Sequence, residues 1–399
     1  MRLFLILVGV LFMTGVSMAQ TKWQIGKPVV TYYAGPDMTD ATAQQMAAGN
    51  FNVVWCTEQQ LNTVQKHGLR GMLRDGLLNP AVLEEAGKRA QLDALIERVK
   101  GHPALYSYYL IDEPNASRFP EFGKLVAYLR EKDPARMAYI NLFPTYASNE
   151  QLGNKGDVVT AYREHLQQFV DIVKPDLISY DHYHFATRGD TGQYFLNLAL
   201  IREAALKAHV PFLNIVQACS WDPSMRITHT NEVRWLVNTS LAYGAQGISY
   251  YVYCYPRHLG ALATADGKPT PLYYGLRNVN RDFVAIASAL QGLTSLGVYH
   301  ANVDKLPLGA VALPEGAPFE MCQMSEQQAL FGTFGQPGGP PTHVAVVNLD
   351  YKSNGMIRVM ARGDLDLFNP ATGRWRPLHE RQPVLRMRAG DIKLLRLSQ

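Results

Sequence analysis

Short apolar runs alternate with amphipathic stretches from about residue 27 to residue 290. The stretches have helical periodicity: Tyr162, Leu166, Phe169, Val170 and Val173, for example, recur at a spacing of about 3.6 residues. The apolar runs predict eight strands, which are Pro28–Tyr33, Phe51–Cys56, Leu69–Arg74, Leu105–Glu113, Met137–Phe143, Asp176–Tyr183, Pro211–Gln217 and Gly247–Tyr255. Strands that alternate with helices indicate a parallel sheet, and eight is the number of strands in a (β/α)8 barrel.

Local signals support the helical assignments. Asn79-Pro80 supplies an N-cap and a proline at the first helical position, and predicts a long helix that ends near Lys100-Gly101. Glu232 to Tyr243 is a second predicted helix, ended by Gly244. A doubly wound open sheet is the alternative, but no glycine-rich nucleotide loop follows the first strand.

The pattern changes after about Gly292, where helical periodicity gives way to short strand-like runs and turn signals such as Asn354-Gly355 and Asn369-Pro370. The segment Gln336 to Pro341 is expected to be a loop. The predicted strands are His343–Leu349, Met356–Met360, Leu365–Phe368, Val384–Met387 and Lys393–Leu397. We therefore expect a TIM barrel over residues 20–292, followed by a small antiparallel β-sandwich over residues 293–399.

Composition and charge narrow the class of protein. The chain has 399 residues, 47% of them hydrophobic and 18% charged, which is typical of an ordered globular protein. The net charge of +4 comes from dispersed basic residues, so no nucleic-acid partner is expected. The sequence gives no indication of the oligomeric state.

Residues 1–19 have the pattern of a secretory signal peptide. Arg2 precedes an apolar stretch, Leu3 to Val16, and Ser17-Met18-Ala19 forms a small-x-small cleavage site before Gln20. The stretch is short for a membrane anchor, and a polar segment follows it. We expect a secreted or periplasmic protein with no membrane span after signal cleavage.

The four cysteines, Cys56, Cys219, Cys254 and Cys322, are not spaced like zinc ligands and are too few for a disulfide scaffold. Cys219 and Cys254 lie at the ends of neighbouring predicted strands, so a disulfide between them is sterically possible. Buried free thiols are the favoured interpretation.

The fourth strand ends in Asp112-Glu113-Pro114, which places two carboxylates at the edge of the barrel where active sites lie. Glu113 is the better proton donor, because the charge of Asp112 raises its pKa. Successive strand residues point to opposite sides, so Asp112 could instead bond a neighbouring strand. A helix N-cap cluster is the structural alternative.

The sixth strand ends in Asp181-His182-Tyr183-His184. Asp181 is the candidate second carboxylate, acting as base or only as an orienting group. His182 and His184 lie two residues apart and could bind a metal, but no third ligand appears at a recognisable spacing. We therefore expect sugar contacts there, with no metal and no cofactor.

Amide and aromatic side chains dominate the other strand ends. Gln217 can bond hydroxyl groups, and Trp221 suits stacking against the apolar face of a sugar ring. For all of them, packing is the alternative to binding. The further candidates for substrate contacts are Tyr33, Trp55, Arg74, Asn141, Tyr253, Tyr255 and Arg257.

Several of these segments carry a resemblance to the clan A glycoside hydrolases, in particular to secreted proteins similar to family 42 β-galactosidases. They are Tyr109 to Pro114, Ser179 to Tyr183, Leu241 to Tyr251, Phe368 to Trp375 and Ala389 to Leu395. The resemblance implies a barrel glycosidase with Glu113 as acid/base and a β-sandwich after the barrel.

Two departures from the clan pattern concern the mechanism. The acid/base glutamate of the clan follows an asparagine, whereas Glu113 follows Asp112, and the nucleophilic glutamate that ends its seventh strand is replaced by Gln217. An Asp-Glu pair on the fourth strand also resembles hexosaminidases that use the acetamido group of the substrate as nucleophile. An inverting reaction with Asp181 as base is a further route.

The sequence thus predicts a secreted glycoside hydrolase acting on oligo- or polysaccharides. One alternative is a carbohydrate-binding protein without catalysis on a hydrolase scaffold, suggested by Gln217. The other is a polysaccharide lyase with a tyrosine or histidine as base.

Overall fold

The computed structural model describes residues 22–322 and 327–398. The predicted signal peptide lies outside the described residues. The strands are β1 (Val29–Tyr33), β2 (Val53–Cys56), β3 (Arg70–Leu73), β4 (Leu105–Asp112), β5 (Met137–Leu142), β6 (Ile178–His182), β7 (Phe185–Ala186), β8 (Gly189–Asp190), β9 (Phe212–Gln217), β10 (Gly247–Tyr251), β11 (Thr294–Ala301), β12 (Phe319–Met321), β13 (Ala329–Gly335), β14 (His343–Asn348), β15 (Gly355–Ala361), β16 (Leu365–Asn369), β17 (Arg374–Pro377), β18 (Val384–Met387) and β19 (Ile392–Leu397). The helices are α1 (Asp40–Ala48), α2 (Leu61–Lys66), α3 (Ala86–Val99), α4 (Phe119–Lys132), α5 (Asn149–Leu152), α6 (Val158–Gln168), α7 (Tyr194–Ala208), α8 (Thr230–Ala242) and α9 (Pro271–Ala289).

Eight parallel strands form the barrel in the order β1-β10-β9-β6-β5-β4-β3-β2. Apart from the short β7–β8 hairpin, spatial neighbours are therefore neighbours along the chain, with helices between them. All eight predicted strands are found within one to four residues of their expected bounds, and the barrel prediction is confirmed. All eight strands run in the same direction, so their carboxyl ends meet at one mouth.

A side chain closes the seam between β1 and β2, which share no regular ladder. The Val30 N–H donates to Asn52 Oδ1 (3.1 Å), and Asn52 Nδ2 donates to the Pro28 carbonyl (2.8 Å). The backbone N–H of Asn52 donates to the Val30 carbonyl (3.0 Å), and Arg70 Nη2 donates to Asn52 Oδ1 (2.8 Å). Asn52 is buried, so these bonds satisfy polar groups that the missing ladder would otherwise leave unpaired.

The C-terminal part is a β-sandwich, as predicted. A six-stranded sheet, β11-β13-β14-β19-β16-β17, faces a three-stranded sheet, β12-β15-β18. Phe331, Val346, Ile357 and Leu385 are among the buried residues between them. The sequence patterns missed β11, β12, β13 and β17, and the predicted boundary after residue 292 falls between α9 and β11.

The structure also tests the predictions for the helix after Asn79 and for the four cysteines. Asn79 does cap a helix, because its side chain accepts from the Ala81 N–H. That helix is a short 3-10 turn, Pro80–Glu84, which is broken at Glu85 before α3 begins. The four cysteines are free thiols, and Cys219 and Cys254 are both buried. Within the described residues, no helix has the length and apolar character needed to cross a bilayer.

Candidate active site

A β-bulge turns Asp112 into the barrel. Tyr109 lies opposite Tyr139 of β5, but Ile111 lies opposite Ile140 and Asp112 opposite Asn141, so β4 carries one extra residue between Tyr109 and Ile111. A bulge of this kind reverses the alternation of side chains along a strand. Asp112 therefore faces the mouth alongside Asn141.

Glu113 follows directly in a left-handed backbone conformation, with a φ angle of +45°. Its N–H donates to the Asn141 carbonyl (2.9 Å), which extends the β4–β5 pairing by one residue. A non-glycine residue in this region is strained by about 1–3 kcal/mol, and such strain is concentrated at functional sites. The bulge and this turn together bring two consecutive carboxylates to one mouth.

Two hydrogen bonds hold the Asp112 carboxylate. Tyr33 Oη, from β1 across the barrel, donates to Asp112 Oδ2 (2.7 Å), and Asn141 Nδ2 donates to Asp112 Oδ1 (3.0 Å). Burial raises the pKa of Asp112, and these two donors oppose that shift. Asp112 is thus positioned by neighbouring strands while remaining partly accessible at the mouth.

The Asn141 amide connects Asp112 with Asp181. Its Nδ2 atom also donates to Asp181 Oδ1 (2.8 Å), and its Oδ1 atom accepts from Ser179 Oγ (2.9 Å). Because Ser179 donates to Asn141, Tyr139 Oη donates in turn to Ser179 Oγ (2.7 Å). This chain of bonds fixes the orientation of the amide, whose NH2 group faces both carboxylates.

The carboxyl groups of Glu113 and Asp181 lie close enough together for each to shift the pKa of the other. Burial, followed by the charge of Asp112, raises the pKa of Glu113 to about 7, while the contact with Asp181 opposes the shift. Burial, followed by the charges of Glu113 and Asp112, raises the pKa of Asp181 well above its usual range. The pair therefore retains at least one proton at neutral pH.

Aromatic rings form a continuous wall around these carboxyl groups. Tyr33 lies 5.8 Å from Tyr251 and 5.0 Å from Trp55, and Trp55 lies 5.0 Å from Tyr109. The centroid distances from Tyr183 to Tyr251 and to Trp221 are 4.9 and 4.7 Å. The sequence analysis named Tyr33, Trp55, Tyr183 and Trp221, and the fold brings all four together.

Arg74 lies at the rim beside this wall. Its guanidinium carbon is 4.6 Å from the Trp55 ring centroid and 5.9 Å from that of Tyr109. The three residues line a groove of about 490 Å³ at the ends of β1 to β4. This volume lies within the usual range for ligand sites, roughly 300–1,000 Å³.

His182 and His184 are buried below the mouth. His182 Nδ1 bonds Asn197 Oδ1 (2.9 Å), and His182 Nε2 and His184 Nδ1 both bond Thr191 Oγ1 (3.1 and 3.2 Å). Burial lowers the pKa of His182 to about 3 and that of His184 to about 4. These contacts give both histidines a role in fixing the loop after β6 rather than in touching a sugar.

Gln217 and Tyr253, two further sequence candidates, are also fully buried. Gln217 Oε1 accepts from the Phe185 N–H (2.8 Å), and Gln217 Nε2 donates to the Phe185 carbonyl (3.0 Å) and the Arg226 carbonyl (3.1 Å). Tyr253 Oη accepts from Gln45 Nε2 (2.6 Å). Their positions correct the expectation of substrate contacts, because protein groups occupy their polar atoms.

Tyr255 is 54% exposed on the loop after β10, where its ring centroid lies 5.2 Å from that of His258.

Two further residues at the mouth, His258 and Tyr146, were not predicted from the sequence. His258 Nε2 bonds Tyr251 Oη (3.2 Å). Tyr146 Oη accepts from the Tyr183 N–H (3.3 Å), and it lies close enough to Asp181 and Glu113 for their charges to raise its pKa further, beyond the effect of burial. Both missed residues lie on loops, where no strand pattern marks them.

Within residues 22–322 and 327–398, no cluster of three or more His, Cys, Asp or Glu side chains has the geometry of a metal site.

Comparison with known proteins places this fold. No known family profile matches the chain, and no curated protein sequence does. Among solved structures, a catalytic mutant of a GH42 β-galactosidase from G. stearothermophilus is 9% identical, with a TM-score of 0.58 over 93% of this chain and 98% of that chain. The cold-adapted β-galactosidase from Rahnella sp. R3 is 11% identical, with a TM-score of 0.54 over 94% of this chain and 100% of that chain.

A third structure, the β-galactosidase from the psychrophilic Marinomonas ef1, is 12% identical, with a TM-score of 0.48 over 66% of this chain. This chain spans 60% of that longer protein. At such low identities the first two structures establish the fold alone. The predicted resemblance to family 42 β-galactosidases is confirmed at that level.

Proposed function

We propose that this protein is a glycoside hydrolase in which Glu113 is the general acid. The observation that carries the proposal is the pair of half-buried Glu113 and buried Asp181 at the barrel mouth, beside Asp112 and inside an aromatic wall. Glycosidic cleavage needs a proton for the leaving oxygen and a second carboxylate for the charge that develops on the sugar. The barrel mouth supplies both kinds of group.

Glu113 suits the acid role because a pKa of about 7 leaves it substantially protonated at neutral pH. An unperturbed glutamate, with a pKa of about 4.3, would be almost fully ionised there. Two effects raise the pKa of Glu113: its burial, and the negative charge of Asp112, which precedes it in the chain. This division of roles between two carboxyl groups is typical of glycosidase sites.

The second carboxylate has two candidates, Asp181 and Asp112. Inverting enzymes keep their carboxyl groups about 6.5–9.5 Å apart to admit a water, and retaining enzymes about 5–5.5 Å. Glu113 and Asp181 already interact through their carboxyl groups, so a water between them requires the two groups to separate. This geometry favours Asp112 as the partner at the mouth, with Asp181 holding the Glu113 proton until substrate separates the two groups.

Asp112 accepts bonds from Tyr33 and Asn141, so its position is fixed before substrate arrives. A carboxylate fixed in this way can orient an acetamido group of the substrate, the route suggested by the Asp-Glu sequence. In the alternative route, Asp181 activates water after moving away from Glu113. The anomeric configuration of the first product distinguishes them, because substrate assistance retains it and a base-activated water inverts it.

The aromatic wall supports a carbohydrate substrate, since sugar C–H faces pack against Tyr and Trp rings. Export, proposed from residues 1–19 alone, would place the enzyme where polysaccharide fragments are found. A binding protein without turnover remains the alternative function, and Gln217 is no longer evidence for it because its amide has a structural role. A lyase is less supported, since burial raises the pKa of the mouth tyrosines Tyr33 and Tyr251 and keeps both protonated at neutral pH, so that neither is available as the base.

The test is product release from aryl glycosides and oligosaccharides, including N-acetylhexosaminides and uronate polymers. The wild type is compared with Glu113→Gln and with Glu150→Gln, a control on the exposed helix α5. We expect cleavage by the wild type and the control, and a loss of at least about 100-fold in Glu113→Gln, as is usual for removal of a general acid. NMR of the first product reads the anomer.

Sugar binding without any product from the wild type would overturn the proposal in favour of the binding protein. Products with ultraviolet absorbance from a conjugated double bond would favour the lyase. Full activity of Glu113→Gln would remove Glu113 from the mechanism.

A further inference from the structure

A second cavity lies between the barrel and the β-sandwich, away from the mouth. Its volume is about 320 Å³, and its walls come from α8, α9, β16, β17 and the turn before β19. Four basic side chains and two carboxylates line it, namely Arg234, Arg376, Arg388, Lys393, Asp282 and Asp391. The lining therefore carries an excess of two positive charges.

Arg234 is the most unusual of these residues, because it is a cation that is only 8% exposed. Its Nε atom donates to the Ala389 carbonyl (2.9 Å), its Nη2 atom donates to the same carbonyl, and Nη2 also donates to Asn231 Oδ1 (2.7 Å). All these acceptors are neutral. Among the described residues, no carboxylate lies within ion-pair distance of Arg234, and its Nη1 atom has no hydrogen-bond partner.

A buried charge of this kind is unfavourable unless an opposite charge accompanies it. Burial lowers the pKa of Arg234, and the positive charge of Arg388 lowers it further, against a smaller opposing effect of Asp391. Arginine nevertheless remains charged in proteins. An anion in the cavity would supply the missing negative charge.

The two carboxylates in the lining are already paired. Asp391 lies 3.3 Å from both Arg388 Nη2 and Lys393 Nζ, and Asp282 lies 2.7 Å from Arg281 Nη2 outside the lining. The side chain of Arg376, which is exposed at the rim of the cavity, has no hydrogen-bond or ion-pair partner within the part of the chain that the structure describes. Its five N–H donors are available to an oxyanion, which a guanidinium binds in a bidentate manner.

An anchoring role explains only part of this arrangement. Arg234 and Asn238 hold the turn that enters β19, since Asn238 Nδ2 donates to the Gly390 carbonyl (2.8 Å). That role uses Nε and Nη2 of Arg234 and leaves Nη1 free. A neutral donor such as Asn238 can also hold the turn, so the anchoring role does not explain why a cation is present. It also does not explain the cavity or the position of Arg376.

We propose that the cavity between α8, α9 and the sandwich binds an oxyanion, a carboxylate or sulfate group, between Arg234, Arg376 and Arg388. The volume is close to the lower end of the usual range for ligand sites, roughly 300–1,000 Å³. It therefore suits a free inorganic anion or one acidic sugar unit. The site does not depend on the glycosidase activity.

The experiment measures binding of sodium sulfate, galacturonate and galactose by isothermal titration and thermal shift, at constant ionic strength set with chloride. The full chain without its first 19 residues is used as wild type, Arg376→Gln and Arg376→Gln/Arg388→Gln. The control is Arg374→Gln, an exposed arginine on the same strand that does not line the cavity. Arg234 is left unchanged because it anchors the fold.

We expect sulfate or galacturonate to bind the wild type and the control, galactose to bind neither at this cavity, and Arg376→Gln to weaken anion binding at least about fivefold. The double variant should weaken it further. Tighter binding of galacturonate than of sulfate identifies an acidic sugar as the ligand, and the reverse identifies a free oxyanion.

Absence of anion binding to the wild type would overturn the proposal. Equal affinities of the wild type and the double variant would overturn it as well, because the anion would then bind elsewhere. Glu113→Gln should bind the anions unchanged, so this result is independent of whether the mouth is an active site.

Discussion

The carboxyl groups of Glu113 and Asp181 interact directly although their strands, β4 and β6, are not neighbours in the barrel. β5 lies between them, and the side-chain amide of its residue Asn141 donates to Asp181 and to Asp112. Two carboxyl groups thus share one amide, and Glu113 adds a third acidic group beside them. Burial and, after it, the proximity of these negative charges raise the pKa values of Glu113 and Asp181, so that protons replace some of the charges.

The raised pKa of Glu113 predicts a pH dependence of stability. The pKa rises from 4.5 when unfolded to about 7 when folded, so the folded state binds the proton more tightly and its stability falls as pH rises from 4.5 to 7. Glu113→Gln lacks this proton equilibrium. We expect it to unfold at higher urea concentration than the wild type above pH 7, by about 1–3 kcal/mol after allowance for partial exposure, with little difference below pH 4.5.

The control is Glu150→Gln, whose difference from the wild type should stay small and constant between pH 4 and pH 8. A stability difference for Glu113→Gln that does not grow with pH would contradict the raised pKa. The activity of the wild type should fall in parallel as pH rises through about 7, because the general acid loses its proton.

The hydrogen bonds of the buried Gln217 side chain predict the effect of introducing a carboxylate at the end of β9. A glutamate there cannot donate to the Phe185 and Arg226 carbonyls, and its charge would be fully buried. We expect Gln217→Glu to destabilise the protein by about 2–5 kcal/mol, in the range for an unpaired buried charge, without producing a retaining enzyme. Chemical denaturation and product-anomer analysis measure the two effects.

The matched control is Gln291→Glu, because Gln291 is exposed and its side chain donates a single bond, to the Gly26 carbonyl (2.6 Å). Its loss of stability should be clearly smaller. A stable Gln217→Glu variant with increased activity would show instead that this position faces the substrate.

The fold was predictable because the barrel strands are buried on both faces and read as uninterrupted apolar runs. The missed sandwich strands lack that signal. β13, for example, has glycines at Gly332 and Gly335, and Gly332 lies so close to α8 that a Cβ atom there would come within 2.1 Å of the Ala242 carbonyl. A glycine required by close packing looks like a turn signal in the sequence.

The acidic residues of the site could be predicted from the sequence, whereas the residues around them could be predicted only in part. The sequence indicates that Asp112 and Glu113 end a strand, but strict alternation would have separated them. The bulge before Asp112 and the left-handed backbone of Glu113, which together bring both to the mouth, have no marker in the sequence. His182 and His184 lie two residues apart and would point to the same side of an extended strand. However, β6 ends at His182, and the following loop places His184 against Thr191. Long-range contacts of this kind are determined by tertiary packing.

The β-sandwich contacts the loop that follows strand β6. Tyr351 Oη, from the loop after β14, donates to Asp190 Oδ2 (2.6 Å) on the β7–β8 hairpin, and Arg226 Nη2 lies 3.1 Å from Asp190 Oδ1. The hairpin begins two residues after Tyr183, which belongs to the aromatic wall. We therefore predict that Tyr351 helps to position the mouth, although it lies in the β-sandwich.

Tyr351→Phe removes the bond to Asp190 while keeping the ring contact with Phe185, at 5.3 Å. A hydrogen bond to a charged group contributes about 1.5–3 kcal/mol, so amide hydrogen exchange in residues 183–193 should become about 10- to 100-fold faster. The effect should be confined to that segment, with the global unfolding midpoint nearly unchanged and KM raised for sugars that touch Tyr183. Tyr274→Phe, an exposed tyrosine on α9, serves as control. Equal exchange rates in the two variants would mean that Arg226 alone holds the hairpin and that the sandwich does not position the mouth through Tyr351.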